Sequence, residues 1–469
     1  MGRHPLAIHP LAIQPLAKQS RAKQIKTLQS AGVRRLAITT VNNAGQTLVK
    51  TIPIARLAEA LIEGVGLSPV SDAFVVDGSI DPAHRLARPD GDLRLVADVE
   101  RIALLDQQTG WAWAPATRQD RQGQTYSGDQ RNFCQQQLAH LQGQKLELLA
   151  GFEIEWVVGQ DHGQRVAGGP YGADRLIQGM DYLASLGNAL DAAGVGWLQL
   201  HPEYGPSQFE LSLAPLDPLA AADQLVLAKL VIQRVSQRFG WRCSFSPVVD
   251  PSLVGNGGHL HISASHRGQP LFGGAPDCPA EGAGALAALI TQLPALLPVA
   301  CPLAVSYLRL SPSRWSAPYQ AWGLENRETA LRLIPSGHHR AGVIAEANLE
   351  LKVADLAANP YLLLGAVMAV MADGLANLRP LPAPVQGDPS RLATNAQPPR
   401  LAQTLEEAAP AFVHSELLQR AMGSDLHGSY ADSLQAEIRR AAALSQDQLV
   451  ASTRWLPLCS SSVDTAGLS

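Results

Sequence analysis

Residues 148–159 read LLAGFEIEWVVG. Alternate side chains on a strand share a face, so Glu153 and Glu155 point one way and Phe152, Ile154 and Trp156 the other. Two carboxylates inside an otherwise apolar segment repel each other and lose hydration unless a cation lies between them; a solvated edge strand is the other solution. Outward from this segment, helical patterns at 132–144, 174–194 and 221–240 alternate with short strand patterns at 147–158, 259–266 and 328–335. The arrangement predicts an α+β fold with antiparallel character.

Upstream, residues 34–54 (RRLAITTVNNAGQTLVKTIPI) hold two apolar runs around a turn of Asn42, Asn43 and Gly45, a β-hairpin pattern. A short amphipathic helix closed by glycine follows at 55–66, then strand-like segments at 73–80, 93–98 and 101–106. The polar stretch 118–131 reads as a boundary, giving a first domain over 31–128 and a second over 129–469. Residues 1–30 begin with a proline-spaced repeat, HPLAI HPLAI QPLAK, and read as a low-complexity disordered tail; an organellar transit peptide or a start codon set too early are the alternatives.

With 469 residues the chain has room for a sizeable core, and a net charge of -4 creates no single-sign field for nucleic acid or acidic membranes. Cys134, Cys243, Cys278, Cys301 and Cys459 form no C-x-x-C pair, which argues for a reducing, cytoplasmic compartment rather than a disulfide framework or a zinc site. The apolar region at 361–378 carries Asp373 and reads as a buried helix, not a membrane span.

Further acidic residues follow in order. In 198–215 (LQLHPEYGPSQFELSLAP), Glu203 precedes a Gly-Pro turn and Glu210 lies on the next alternating strand, so the turn can return one carboxylate to the other. In 255–265 (GNGGHLHISAS), His259 and His261 share a strand face after glycines that permit close backbone approach. Glu350 alternates with Leu349 and Leu351, and Arg309, Arg327 and Arg332 sit in strand-like segments of 307–335. Hard oxygen donors with one or two imidazoles suit Mg²⁺ or Mn²⁺, and guanidinium groups suit phosphate and carboxylate oxygens. Together they point to divalent metals clamping a polyphosphate beside an anionic substrate, the requirement of phosphoryl transfer.

In this order, GFEIEW, EYGPSQFE, GNGGHLHIS, WGLENRETALRL and LELKVADLAANPYL resemble the glutamine synthetase family, the type I enzymes and their γ-glutamyl amine or polyamine ligase relatives. The resemblance implies an N-terminal β-grasp domain, a catalytic domain with a curved antiparallel sheet, and a homo-oligomeric ring with active sites between subunits. It implies two or more metals per site, with Glu155, Glu203 and Glu210 on one and Glu153, His259 and Glu350 on the other. His261 and Ser263 match nucleotide contacts, Arg327 and Arg332 match arginines on the ATP phosphates, and Gly255 and Arg309 match contacts to substrate glutamate. Asp77 matches, more loosely, an aspartate that a neighbouring subunit adds to the ammonium site. The implied partners are ATP, glutamate or a similar acid, and an amine or ammonia.

Three positions depart from the family's pattern. Ser316 in SPSRWSAPYQ (311–320) stands where glutamine-forming enzymes carry a flap glutamate, and a hydroxyl cannot attract and deprotonate ammonium. Lys352 replaces a substrate-facing arginine, keeping charge but losing the two-pronged geometry. Arg379 occupies the place of the adenylylated tyrosine, so that regulation is not expected. Trp315 beside the flap fits either recognition of an organic amine or simple packing. The leading expectation is an ATP-dependent ligase forming a γ-glutamyl amide from an organic amine or polyamine. Glutamine synthetase and a non-catalytic regulatory paralogue are the alternatives.

Overall fold

The alternating segment becomes the central strand of a mainly antiparallel sheet in the computed structural model, which describes residues 21–106, 109–159, 166–273, 279–338, 344–345 and 347–456. Ahead of that sheet lie α1 (Arg21–Ser30), β1 (Arg35–Val41), β2 (Thr47–Pro53), α2 (Leu57–Glu63), β3 (Val65–Leu67), β4 (Leu93–Ala97), β5 (Ala103–Asp106) and β6 (Trp111–Gln119). Their strands form a six-stranded sheet in the order β2-β1-β6-β4-β3, with β5 beside β6 and with β1 and β6 parallel. The hairpin runs in register from Arg35↔Pro53 to Val41↔Thr47. Its Gly45, at φ 73°, sits so close to the later chain that a Cβ would lie 2.0 Å from the Ala357 carbonyl oxygen. Only glycine fits there.

Two expectations for this region fail. Residues 21–30 are helical, and Leu28 is fully buried in a core with Leu36, Ile38, Ile52, Leu57 and Leu95. The prolines end at Pro15, so a helix can start at Arg21. The repeat itself, and Cys278 and Cys459, lie outside the described residues. Residues 73–80 make a turn instead of a strand: Asp77 Oδ1 accepts the Ser79 backbone N–H at 2.9 Å, and only Phe74 and Ile80 bridge. An aspartate that caps its own turn competes with strand pairing.

The polar stretch 118–131, expected as a boundary, joins the end of β6 to the start of the next helix at Gln130 and carries a buried charge network. Arg118 is fully buried and donates to Asp72 Oδ2 at 2.6 Å, Asp129 Oδ2 at 3.0 Å and the Gly128 carbonyl at 2.7 Å. Gln130 extends the network to Asn43 at 2.8 Å, and Arg131 pairs with Asp223 and Asp98 at 2.7 Å. Charged residues that satisfy one another can be buried, which composition alone does not reveal.

The second part contains α3 (Gln130–Gly143), β7 (Leu146–Gly159), α4 (Ala173–Ala192), β8 (Trp197–Pro202), β9 (Gln208–Leu213), α5 (Pro218–Arg238), β10 (Arg242–Ser244), β11 (Leu260–His266) and β12 (Gln269–Pro270). There follow α6 (Ala280–Ala300), α7 (Ser306–Arg309), β13 (Trp322–Leu324), β14 (Leu331–Ile334), β15 (Gly337–His338), β16 (Ile344–Ala345), β17 (Asn348–Leu351), α8 (Pro360–Ala376), α9 (Leu405–Val413), α10 (Glu416–Ala442) and α11 (Gln446–Thr453). The main sheet runs β13-β14-β17-β11-β7-β9-β8, with β10 against β7 and β12 against β11. Only β13 and β14 pair in parallel.

Phe152, Ile154 and Trp156 of β7 are at most 2% exposed and face α3 and α5, which in turn pack on α8. The apolar segment singled out in the sequence is α8, packed against α6. By length and composition α6 could itself cross a membrane, but 78% of its apolar window is buried inside the protein. Asn359 caps α8, accepting from Tyr361 and Leu362 N–H groups at 2.9 and 3.2 Å, while its amide donates to Val41 and Asn42 carbonyls at 3.1 and 3.0 Å. One side chain thus starts the core helix and ties it to the hairpin.

Candidate active site

The polar face of the sheet is assembled by register. Arg332 lies opposite Glu350, Glu350 opposite His261, and His261 opposite Gly151, two residues before Glu153. A second row sets His201 opposite Glu210 and Glu210 opposite Glu155. Glu203 comes back to this row because the turn at 204–207 closes with its N–H bonded to the Gln208 carbonyl at 2.8 Å. The two rows border a cavity of about 920 Å³ whose wall includes Glu153, Glu155, His201, Glu203, Glu210, His259, Arg332 and Lys352.

Two groups on this sheet face have ligand atoms all within 4.8 Å of one another: Glu153 with His261 and Glu350, and His201 with Glu203 and Glu210. The pairing expected between His259, Glu153 and Glu350 is therefore different in this structure. His261, opposite Glu350, lies 3.3 Å from Glu153 Oε1, whereas His259, just ahead of β11, turns to Glu155 Oε1 at 3.3 Å. His259 remains in the same cluster, next to the Lys352 amine at 3.5 Å.

The electrostatics show what this cluster lacks. Burial first, then the charges of Glu155 and Glu210, push the Glu203 carboxyl up to about 7. Glu210 is raised by burial and by Glu153 and Glu155, against the hydrogen bond from His201. Burial would lower His261, but the carboxylates of Glu153 and Glu350 win and raise it to about 9. For Glu350, burial is likewise overcome by Lys352, the two histidines and the 2.9 Å bond from Arg332, which hold its carboxyl well below the usual range. Five carboxylates crowded on one sheet face, of which Glu203 and Glu210 are raised by burial and by their neighbours, and a buried His261 Nε2 without an aligned hydrogen-bond partner among the described residues, fit a site for hard divalent cations.

Arg309 and Gly255 meet at the cavity wall: a Cβ on Gly255 would stand 2.7 Å from Arg309 Cγ and 2.2 Å from the Pro247 carbonyl oxygen. The Arg309 guanidinium reaches the Val353 and Ala354 carbonyls, and its Nε is buried without a partner among the described residues. Arg327 is exposed and Arg332 half-buried, both on the cavity. Lys352 Nζ binds Glu350 Oε1 at 3.2 Å.

Four expected residues are not on the cavity wall: His261 and Glu350 meet it only through Glu153, Ser263 lies further along β11, opposite Leu149, and Asp77 stays in its exposed turn. Ser316 lines the cavity but is 2% exposed, and its hydroxyl is engaged with the Ser311 carbonyl at 2.7 Å and N–H at 2.9 Å. Trp315 is 46% exposed and stands edge-on to Tyr204, ring centroids 5.1 Å apart, so it is not core packing.

Sequence reasoning missed His201 and Tyr171. His201 Nε2 lies 3.4 Å from Glu210 Oε1, and that bond, against burial, raises it to about 9. Its position two residues before Glu203 on an alternating strand was the available signal. Tyr171 donates to Glu203 Oε1 at 2.9 Å from a segment 32 residues away, and nothing local announces it.

A protein-family model for the glutamine synthetase catalytic domain matches residues 127–450. The gamma-glutamylpolyamine synthetase GlnA3 of Streptomyces coelicolor is 42% identical over 443 residues, 91% of this chain and 94% of that protein. The glutamate–methylamine ligase of Methyloversatilis universalis is 26% identical, over 84% of this chain and 90% of its own. A crystal structure described as a novel glutamine synthase homolog superimposes with a TM-score of 0.80 at 28% identity, covering 89% of this chain and 97% of that one. With the family model spanning most of its length and its carboxylates converging on one sheet face, the chain belongs to the glutamine synthetase family.

Proposed function

We propose that this chain is an ATP-dependent ligase that joins an organic amine or polyamine to the side-chain carboxylate of glutamate. The observation that carries the reading is the pair of acid–histidine groups, His201 with Glu203 and Glu210, which lines one cavity with Arg309, Arg327 and Arg332, and Glu153 with His261 and Glu350, which meets that cavity at Glu153. The similarity to a polyamine ligase and a methylamine ligase supports the choice of nucleophile.

These carboxylates, with His259 beside them, would hold divalent ions, which would supply positive charge at the phosphate oxygens of ATP. Arg327 and Arg332 add further charge there, and Arg309 beside Gly255 receives the substrate acid. A glutamate carboxylate oxygen attacks the γ-phosphorus and ADP leaves, producing an acyl phosphate. The amine nitrogen then attacks the acyl carbon, loses a proton, and the C–O bond to phosphate breaks. Segment 311–320, through Trp315 and Ser316, covers the cavity side where water would otherwise hydrolyse that intermediate. Asp77, exposed and away from this chain's own cavity, supports a homo-oligomeric ring in which its turn enters a neighbour's site.

The test is phosphate release by the purified protein with Mg²⁺, ATP, L-glutamate and a panel of amines. Organic amines are expected to stimulate release more than ammonia does. Intact nucleotide binding without release for any amine would leave the regulatory paralogue. Because Ser316 borders the cavity, Ser316→Glu is expected to raise the ratio of ammonia turnover to organic-amine turnover; the ratio is the readout, since the substitution also breaks the Ser311 clasp. An unchanged ratio would remove the flap from the explanation of selectivity.

A further inference from the structure

One carboxylate beside the cavity has no part in the reading above. Glu328, next to Arg327, is 8% exposed. Its Oε1 accepts the backbone N–H of Trp315 at 2.8 Å, and its Oε2 is buried without a partner among the described residues. Its base is rigid, because the Glu328 N–H bonds Asn326 Oδ1 at 3.0 Å and the Asn326 amide donates to the Val385 and Gly387 carbonyls at 2.9 Å. Burial raises the Glu328 carboxyl, opposed by the bond from Trp315. A buried carboxylate facing backbone N–H groups of Trp315 and Ser313 in one loop is retained at a cost unless holding that loop matters.

What it holds is strained. Ser313, Trp315 and Ala317 have φ of 58°, 54° and 54°, a left-handed conformation that is unfavourable for a residue other than glycine. Ser316 clasps the loop to Ser311 from within, whereas Glu328 grips Trp315 from another part of the chain. The Trp315 ring meets Tyr204, Tyr204 meets Tyr171 edge-on at 6.4 Å, and the Tyr171 hydroxyl ends on Glu203. An aromatic row therefore runs from the loop to the acidic cluster along the cavity. Such faces attract an ammonium group and cover the alkyl chain behind it, which ammonia does not have.

We propose that Glu328 is a positioning residue for the amine: its grip on the Trp315 N–H keeps that ring against Tyr204, and so favours amines with an alkyl chain over ammonia. The inference rests on the ligase reading. The test is steady-state kinetics of the full-length protein with Mg²⁺, ATP, glutamate and, in turn, ammonia, a short alkylamine and a diamine. Glu328→Ala is expected to raise KM for the diamine roughly tenfold, matching loss of one hydrogen bond to a charged group, while KM for ATP moves less than about twofold. Glu328→Gln, which keeps an oxygen acceptor, is expected to restore the diamine KM. Trp315→Ala should reproduce the alanine effect, and the double variant should add nothing to it.

Equal shifts in every KM, no rescue by glutamine, or additive effects of the two alanine variants would overturn the proposal. If Glu328→Ala does not fold, Glu328→Asp, too short to reach the N–H, takes its place with the same expected split. Wild-type protein that turns over no amine would sink the ligase reading and this inference together. An active wild type with an unaltered alanine variant would sink this inference alone.

Discussion

Replacing Glu350 with glutamine is expected to reduce amine-dependent phosphate release by about 10²–10³-fold, with the fold intact. Glu350 is 1% exposed and anchors Arg332 at 2.9 Å and Lys352 at 3.2 Å while sharing a candidate cation site with Glu153 and His261. Glutamine has nearly the same volume and retains one oxygen, so packing changes little. The negative charge is what disappears, leaving the buried Lys352 and the half-buried Arg332 facing a neutral group and one ligand fewer for a divalent ion. Two measurements check this: phosphate release, and Mn²⁺ affinity by titration, both expected to fall. Glu350→Ala should abolish release altogether, but it also opens a cavity, which is why glutamine is the sharper variant. Full activity and unchanged Mn²⁺ affinity in Glu350→Gln would separate this carboxylate from the chemistry.

The second large effect lies outside the cavity. Arg118→Met is expected to lower stability by about 3–5 kcal/mol, because it leaves the carboxylates of Asp72 and Asp129 in the interior without their cation. Both acids are at most 1% exposed, and the guanidinium also satisfies the Gly128 carbonyl. Thermal and urea unfolding of the full chain would measure the loss. Adding Asp72→Asn and Asp129→Asn to Arg118→Met should recover part of it, since the penalty comes from uncompensated charge. An Arg118→Met protein as stable as wild type would mean that water reaches the pocket and that this junction contributes little.

Much of the site could be read before any coordinates. Alternation on β7 put Glu153 and Glu155 on one face, and the Gly-Pro turn after Glu203 accounted for its return to Glu210. Both are local features with a period or a turn rule behind them. The division of ligands was not local. Whether His259 or His261 stands over Glu153 depends on the antiparallel offset between β11, β7 and β17, and one two-residue step exchanges their partners. The strand expected at 73–80 failed because Asp77 satisfies its own turn. At the 118–131 boundary the burial of Arg118 was not legible, because Asp72, Arg118, Asp129 and Gln130 find one another across 58 positions of sequence, from Asp72 to Gln130.

The amino-acid order alone was enough to establish the α+β class, the acidic strand faces and the family pattern, since pattern and turn chemistry act within a few residues of one another. Folding in space chose the histidine partners, engaged the Ser316 hydroxyl with Ser311, and carried Tyr171 and Glu328 to the rim of the cavity. Those outcomes depend on contacts between segments far apart in the chain, where the energy of packing and charge pairing is decided only once the sheet register is set.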